Sequence, residues 1–336
     1  MNTIKNSNDE NTLVPEFLQQ DDIGEECKEL LPTLPLVKGW IESDLYKYQG
    51  FWFFPKVLHG VLSCQKHFQA IDTDILLVTF PKSGTTWLKA LMFALVNRNK
   101  YPNIHDDHPL LTKNPHDLVP FWEVGLYYDK DFVPDLQTIS PPRLFSTHLS
   151  YESLPKSVRD SRCKVVYLCR DPKDNFVSLW HFANKNRPKS RETVPLQDAF
   201  ESFRRGETPF GPFWEHVLGY WKKSLESPNK VMFLKYEEIK MRPNFYLKEI
   251  AKFLDCPFSK QEESKGLDND ILNLCSFDKL SNLEVNKIEK TSFKVENKSF
   301  FRLGQVGDWK NLLTTEMIEH INTMTEKKFL KHGLKF

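Results

Sequence analysis

Three stretches carry side chains that could hold an anion and move a proton. The first is Thr79-Phe-Pro-Lys-Ser-Gly-Thr-Thr-Trp87. Lys82 brings a full positive charge, and Gly84 lets the backbone turn tightly and approach a ligand. If a helix starts here, the amides of Ser83, Gly84, Thr85 and Thr86 lack partners within it and can cradle a phosphate, with the hydroxyls of Thr85 and Thr86 as further donors. A plainer reading has one of Ser83, Thr85 or Thr86 capping the helix, Lys82 on the surface and Trp87 in the core. The stretch is not a Walker A loop, which needs Gly-Lys followed by Ser or Thr. Neither a Gly-Lys dipeptide nor a Gly-x-Gly occurs in the chain.

The second stretch is Phe145-Ser-Thr-His-Leu149. Imidazole titrates near neutrality, so His148 suits removal of a proton from a hydroxyl, although a lone histidine is more often a structural residue. The third is Cys169-Arg-Asp-Pro-Lys-Asp-Asn-Phe-Val-Ser178. Asp171 suits a helix cap and Pro172 its first turn. Arg170, just before them, offers a planar fork matched to phosphate. Ser178 shares a helical face with Asp174 and Asn175. By itself this stretch also reads as a well-made strand-to-helix junction. Tyr236, at the end of a further apolar run, and Phe301-Arg-Leu-Gly-Gln-Val-Gly-Asp-Trp-Lys310 complete the set.

These residues need a scaffold that brings them together. Ile75–Phe80 is a continuous apolar run of the kind found in buried parallel strands. Short strand-like runs follow at Arg143–Thr147, Lys164–Cys169 and Val231–Tyr236. Helical spacing is seen over Thr85–Arg98 and at about 172–186, 192–205, 212–225, 244–254 and 314–330. Strands alternating with helices give an α/β fold: a central parallel sheet flanked by helices. The phosphate loop, His148, Arg170 and Tyr236 would then share one edge of the sheet, where ligands bind in such folds. The Pro-rich stretch 100–142 reads as loops and short helices, and 284–307 as a polar mobile loop. Residues 1–29 read as a mobile tail and 30–336 as one domain, because the anion-binding residues run from Lys82 to Gly304.

Composition limits the partners. The 336 residues include 46 Lys and Arg against 45 Asp and Glu. Such a balance excludes a global pull towards nucleic acid or membrane but leaves room for a local anion site. Mean hydropathy is −0.49, and no apolar run approaches the roughly 18 residues of a membrane span. Met1–Glu10 is polar, with no signal-peptide core, so the reading is cytoplasmic. The six cysteines have no C-x-x-C spacing and read as reduced thiols; with ten scattered histidines they imply no metal.

Pro81-Lys-Ser-Gly-Thr-Thr-Trp87 resembles the 5′-phosphosulfate loop of the cytosolic sulfotransferases, which use 3′-phosphoadenosine 5′-phosphosulfate (PAPS). The likeness runs from about Gly39 to the C-terminus. It is close to the plant soluble branch at Tyr48-Gln-Gly-Phe-Trp52, Asn114-Pro-His-Asp-Leu-Val-Pro120 and Leu283-Glu-Val-Asn-Lys287. The resemblance implies a P-loop-like sulfotransferase fold with His148 as general base and Lys82 stabilising the leaving phosphate. It also implies PAPS binding by Lys82, Ser83, Gly84, Thr85, Thr86, Trp87, Arg170, Ser178, Tyr236, Arg302, Leu303 and Gly304. Two departures stand out. Ser146 occupies a position that is lysine in animal relatives, a plant-branch trait. Leu303 replaces the lysine of an Arg-Lys-Gly segment that closes over the 3′-phosphate, which implies weaker PAPS binding.

The acceptor implied is a small hydroxylated plant metabolite: a flavonoid or other phenolic, a steroid, a hydroxyjasmonate or a desulfoglucosinolate. The aromatic surplus, including 26 Phe, favours phenolics, with Phe51-Trp-Phe-Phe54, Phe121-Trp122 and Tyr127-Tyr128 as candidate pocket walls. Lys310–Glu319 resembles the family's dimer motif, with Thr315 in place of valine, so the chain reads as a monomer or weak homodimer. The rival readings are an inactive PAPS-binding relative, suggested by Leu303, and a nucleotide-dependent kinase.

Overall fold

The structure is a computed structural model that describes residues 22–40, 43–187 and 191–336. A small antiparallel sheet joins β1 (Leu36–Lys38), β2 (Asp44–Tyr48) and β3 (Phe51–Phe53). The main sheet is wholly parallel, in the order β5-β4-β6-β7, from β4 (Ile75–Thr79), β5 (Leu144–Thr147), β6 (Lys164–Cys169) and β7 (Val231–Lys235). These are the four apolar runs of the sequence. All five residues of β4 are buried, as a central strand covered on both faces requires. Leu76, Val78, Val165 and Tyr167 pack into one core, and Ile75, Leu77, Val166 and Leu168 into the other. The alternation follows from the period of two along a strand.

From β4 the chain runs through helix Thr85–Val96 to β5 on one side of it. It then passes to β6 on the other side. The order therefore reverses at β4, and its carboxyl end is a switch point of the kind where ligands lodge. Helices Pro172–Lys185, Phe213–Glu226, Pro243–Phe253 and Thr315–Phe329 lie within a residue of their expected ends. The helix expected from 192 starts only at Leu196, because Pro195 lacks an N–H and holds Val194 out of helical geometry. The 100–142 stretch is loops and short helical turns, as read.

Three expectations are corrected. Tyr236 does not close a strand; β7 ends at Lys235 and Tyr236 opens helix Tyr236–Met241. Residues 284–307 form a packed segment, with helix Glu284–Ile288, a bridge between Lys290 and Glu296, and a 3-10 turn Asn297–Phe300. Two of its polar residues, Asn286 and Asn297, point inward: Asn297 Nδ2 donates to the Val285 carbonyl at 2.8 Å, and Asn286 accepts from Asn114 at 2.8 Å. Buried amides that satisfy backbone made a folded segment look like a loop. Of the tail 1–29, residues 1–21 lie outside the described residues. From Asp22 the chain is anchored, with Ile23 and Cys27 buried, helix Glu25–Leu30 formed and Asp22 paired with Lys56 at 2.7 Å.

Candidate active site

Each strand of the parallel sheet ends on a residue singled out from the sequence. The phosphate loop follows β4, His148 follows β5, Arg170 follows β6 and Tyr236 follows β7. In the loop, Lys82 has φ 67° and Gly84 φ 103°. A Cβ on Gly84 would sit 2.7 Å from the Tyr236 ring, so glycine is needed both for the left-handed backbone and for the close approach. The left-handed turn at Lys82 is held from outside. Asn175 Nδ2 donates to the Pro81 carbonyl at 2.8 Å and to Ser83 Oγ at 3.1 Å. Gly84 occupies the cap position of helix Thr85–Val96, which has no side-chain cap, so the plain capping reading does not describe this turn.

The expected cradle is narrower by one amide. Ser83 N–H closes a turn onto the Phe80 carbonyl at 3.2 Å, whereas the amides of Gly84, Thr85 and Thr86 have no backbone partner among the described residues. Both threonine hydroxyls have protein partners: Thr85 Oγ1 lies 2.6 Å from Thr79 Oγ1, and Thr86 Oγ1 2.9 Å from His116 Nε2. Lys82 Nζ stands 3.9 Å from the centre of the Phe182 ring. Burial, and then the nearby Arg170, Arg302 and Lys185, lower its pKa to about 7. Those neighbours disfavour its charge until an anion arrives.

His148 is fixed at several points. Its Nδ1 lies 2.7 Å from the Thr79 carbonyl. A carbonyl only accepts, so Nδ1 carries the proton and Nε2 of the neutral ring keeps the lone pair. The backbone N–H of His148 donates to Glu123 Oε1 at 2.7 Å, and its carbonyl accepts from His216 Nε2 at 2.9 Å. Phe121 and Phe210 flank the ring at 4.7 and 5.2 Å. Burial is the main cause that lowers the His148 pKa, to about 3, so the ring is neutral at physiological pH.

The Arg170 end is buried and under-satisfied. Arg170 is 6% exposed. Its Nη2 donates to the Gln305 carbonyl at 2.7 Å, and its Nε has no partner among the described residues. Arg302 pairs with Asp308 at 2.6 Å and likewise keeps an orphaned Nε. Ser178 lines the same cavity. Two buried guanidinium N–H groups without acceptors fit a phosphate, and would be hard to explain without an anionic ligand. Tyr236 O–H donates to the Gly304 carbonyl at 3.0 Å, and Trp87 packs edge-on to Tyr236 at 5.4 Å. Leu303, 41% exposed, also lines the cavity and brings no charge. One cavity of about 390 Å³ thus joins the loop, His148, Arg170, Ser178, Tyr236 and the 302–304 segment.

The family model described as the sulfotransferase domain matches residues 72–333. The chain belongs to the sulfotransferase family. It is 50% identical to cytosolic sulfotransferase 12 of Arabidopsis thaliana, over 96% of this chain and 98% of the relative, and 49% identical to cytosolic sulfotransferase 5 of that plant, over 95% and 99%. Among solved structures, an Arabidopsis putative steroid sulphotransferase matches with a TM-score of 0.73 at 44% identity, covering 94% of this chain and 98% of that one. A mouse sulfotransferase complexed with PAP matches with a TM-score of 0.64 at 28% identity, over 84% and 94%. The chain is a sulfotransferase.

The other end of the sulfotransferase cavity is aromatic. Of the candidate wall residues, only Phe54 and Phe121 line it; Phe51, Trp52, Phe53, Trp122, Tyr127 and Tyr128 are buried in packing away from it. The remaining wall comes from rings that the sequence reading passed over, among them Phe182, Phe210, Phe293 and Phe300. Four buried polar residues have no role in the sequence reading. Glu123, fully buried, accepts from His148 N–H and from Thr147 Oγ1 at 2.8 Å. Asn175 supports the phosphate loop. Asp174 receives the amides of Gly307 at 2.7 Å and Trp309 at 3.1 Å, tying the 302–309 segment to helix Pro172–Lys185. His216 holds the His148 carbonyl. The signal for Asp174 and Asn175 was their shared face with Ser178; Glu123 and His216 had none. Ser146 points away from the cavity and donates to the Pro120 carbonyl at 3.1 Å, pinning the strand-like segment that carries Phe121.

Proposed function

We propose that this sulfotransferase transfers the sulfuryl group of PAPS to a hydroxyl of a small, largely apolar acceptor, with His148 as base and Lys82 at the leaving phosphate. One observation carries the residue roles. The neutral His148, with Nε2 free to accept a proton, and Lys82, at the anion loop, open into a single cavity with two orphaned guanidinium donors. PAPS supplies an activated sulfur bonded to a phosphate oxygen. As the acceptor oxygen bonds to sulfur, its proton passes to His148 Nε2 and the bond from sulfur to the phosphate oxygen breaks. Lys82 and the amides of Gly84, Thr85 and Thr86 stabilise the charge gathering on that oxygen. Arg170, Ser178 and Arg302 hold the 3′-phosphate, which separates PAPS from ATP, while Trp87 and Tyr236 stand beside the adenine. The mouse relative is complexed with PAP, which supports PAPS as the donor.

The aromatic wall favours a flat or greasy acceptor, and a phenolic fits its rings best. The relatives are named cytosolic, and we place this enzyme in the same compartment. The test offers labelled PAPS and labelled ATP with a panel of phenols, steroids and oximes. Transfer from PAPS alone, strongest with phenols, is the expected result. Transfer from ATP but not PAPS would overturn the donor assignment, and PAP binding without transfer to any acceptor would favour an inactive relative.

A further inference from the structure

Every charged side chain that lines the cavity is a cation, with no carboxylate among the described lining residues: Lys82, Arg170, Lys185, Lys240 and Arg302. The proposed reaction uses Lys82, Arg170 and Arg302. Lys240 stands at the nucleotide end, 5.5 Å from the Trp87 ring. Lys185 has no role yet, and its position is informative.

Helix Pro172–Lys185 acts as a ruler along the cavity. Ser178, Phe182 and Lys185 are spaced four and three residues apart and so share a face. Ser178 marks the 3′-phosphate. Phe182, one turn on, lies under Lys82 Nζ at 3.9 Å and so marks the reacting sulfur. Lys185 comes after that, roughly 10 Å along the axis from Ser178 at about 1.5 Å per residue. Its direction away from Ser178 is towards the acceptor. It is exposed at the rim, where Nζ donates to the Lys298 carbonyl at 3.0 Å, next to the Phe300 wall. One bond to a neutral oxygen leaves two of its N–H donors without a partner among the described residues. The carboxylate nearby, Glu296, is engaged by Lys298 at 3.1 Å.

We propose that Lys185 is a specificity-determining residue that selects acceptors carrying an anionic group, a carboxylate, remote from the hydroxyl that is sulfated. The aromatic wall holds the body of such an acceptor and Lys185 its charged end. The inference rests on the assignment of the cavity to PAPS and acceptor given above.

The test uses the full chain and a hydroxycinnamic acid beside its methyl ester, which differ only in the charge. Wild type, Lys185→Met and Lys185→Glu are compared for kcat/KM on both acceptors, for PAP binding, and for binding of both acceptors to the PAP complex. Lys185→Met is expected to lower kcat/KM and affinity for the acid about fivefold, as for an exposed ion pair. The ester and PAP binding should stay within twofold. Lys185→Glu should discriminate further against the acid, and raised salt should erase the wild-type preference. Equal effects on acid and ester, or none on either, would overturn the proposal. A matched loss of PAP affinity would overturn it too, by moving Lys185 to the nucleotide. Failure of the underlying reaction would instead appear as absent transfer by wild type, and the binding arm still decides the role of Lys185.

Discussion

The two ends of the cavity are built in different ways. The nucleotide end is made of backbone: strand ends, a left-handed turn at Lys82 and Gly84, and three amides with no backbone partner among the described residues, braced by the buried Asn175 and Asp174. The acceptor end is made of rings, contributed by β5's edge, helix Pro172–Lys185 and the 293–301 segment. Backbone amides and guanidinium groups in fixed geometry recognise one anion and tolerate little change, whereas packed rings impose shape and polarity and accept many related molecules. A sulfotransferase can thus keep one donor while its acceptor varies. His148, the proposed base, sits where the two meet, held by the Thr79 carbonyl and flanked by Phe121 and Phe210.

The sharpest way to break this division is at the junction. His148→Ala should lower turnover by about two to four orders of magnitude, the usual range for a lost general base, while PAP binds as in wild type. Equal loss of PAP affinity, measured by calorimetry, would mean that the residue belongs to the nucleotide end. Glu123→Ala removes the acceptor for the His148 amide and the Thr147 hydroxyl. Turnover should fall about tenfold, and folding stability by about 1.5–3 kcal/mol, as for hydrogen bonds to a charged group. PAP affinity should not move. Denaturant melts and single-turnover rates check both.

The nucleotide end has its own pH signature. The charged form of Lys82 binds anions, and in the free protein its pKa is lowered to about 7 by burial and by Arg170, Arg302 and Lys185. Binding PAP raises that pKa, so at pH above 7 the complex must take up a proton. Affinity should therefore fall as pH rises from 7 to 9, towards a limit of tenfold per unit. The phosphates stay ionised over this window, so their own titration does not intervene. Lys82→Met should flatten the slope; an unchanged slope would assign the proton elsewhere. The smallest effect is expected at the lid. Leu303→Lys restores a cation to an exposed position and should tighten PAP binding by up to about fivefold, with acceptor preference unchanged. No change in the dissociation constant would show that backbone contacts suffice there.

Much of the nucleotide end was legible in the chain because it is local. Thr79–Trp87 and Cys169–Ser178 each span a strand end, a turn and a helix start, so their spacing alone places charge, glycine and hydroxyl in register. Glu123 was invisible because its partners, Thr147 and His148, are 24 and 25 residues away. The polar 284–307 segment misled because the inward-facing amides of Asn286 and Asn297 look the same in a sequence as solvated ones.

By itself the sequence determined the alternation of strands and helices, the parallel sheet, the anion loop and the family, since periodicity and short motifs depend on neighbours along the chain. Only the tertiary structure decided which rings wall the cavity, which tautomer His148 adopts and that Lys185 stands at the cavity rim. Those properties depend on side chains brought together from distant segments and on the burial that alters their proton affinity. No local pattern encodes that juxtaposition.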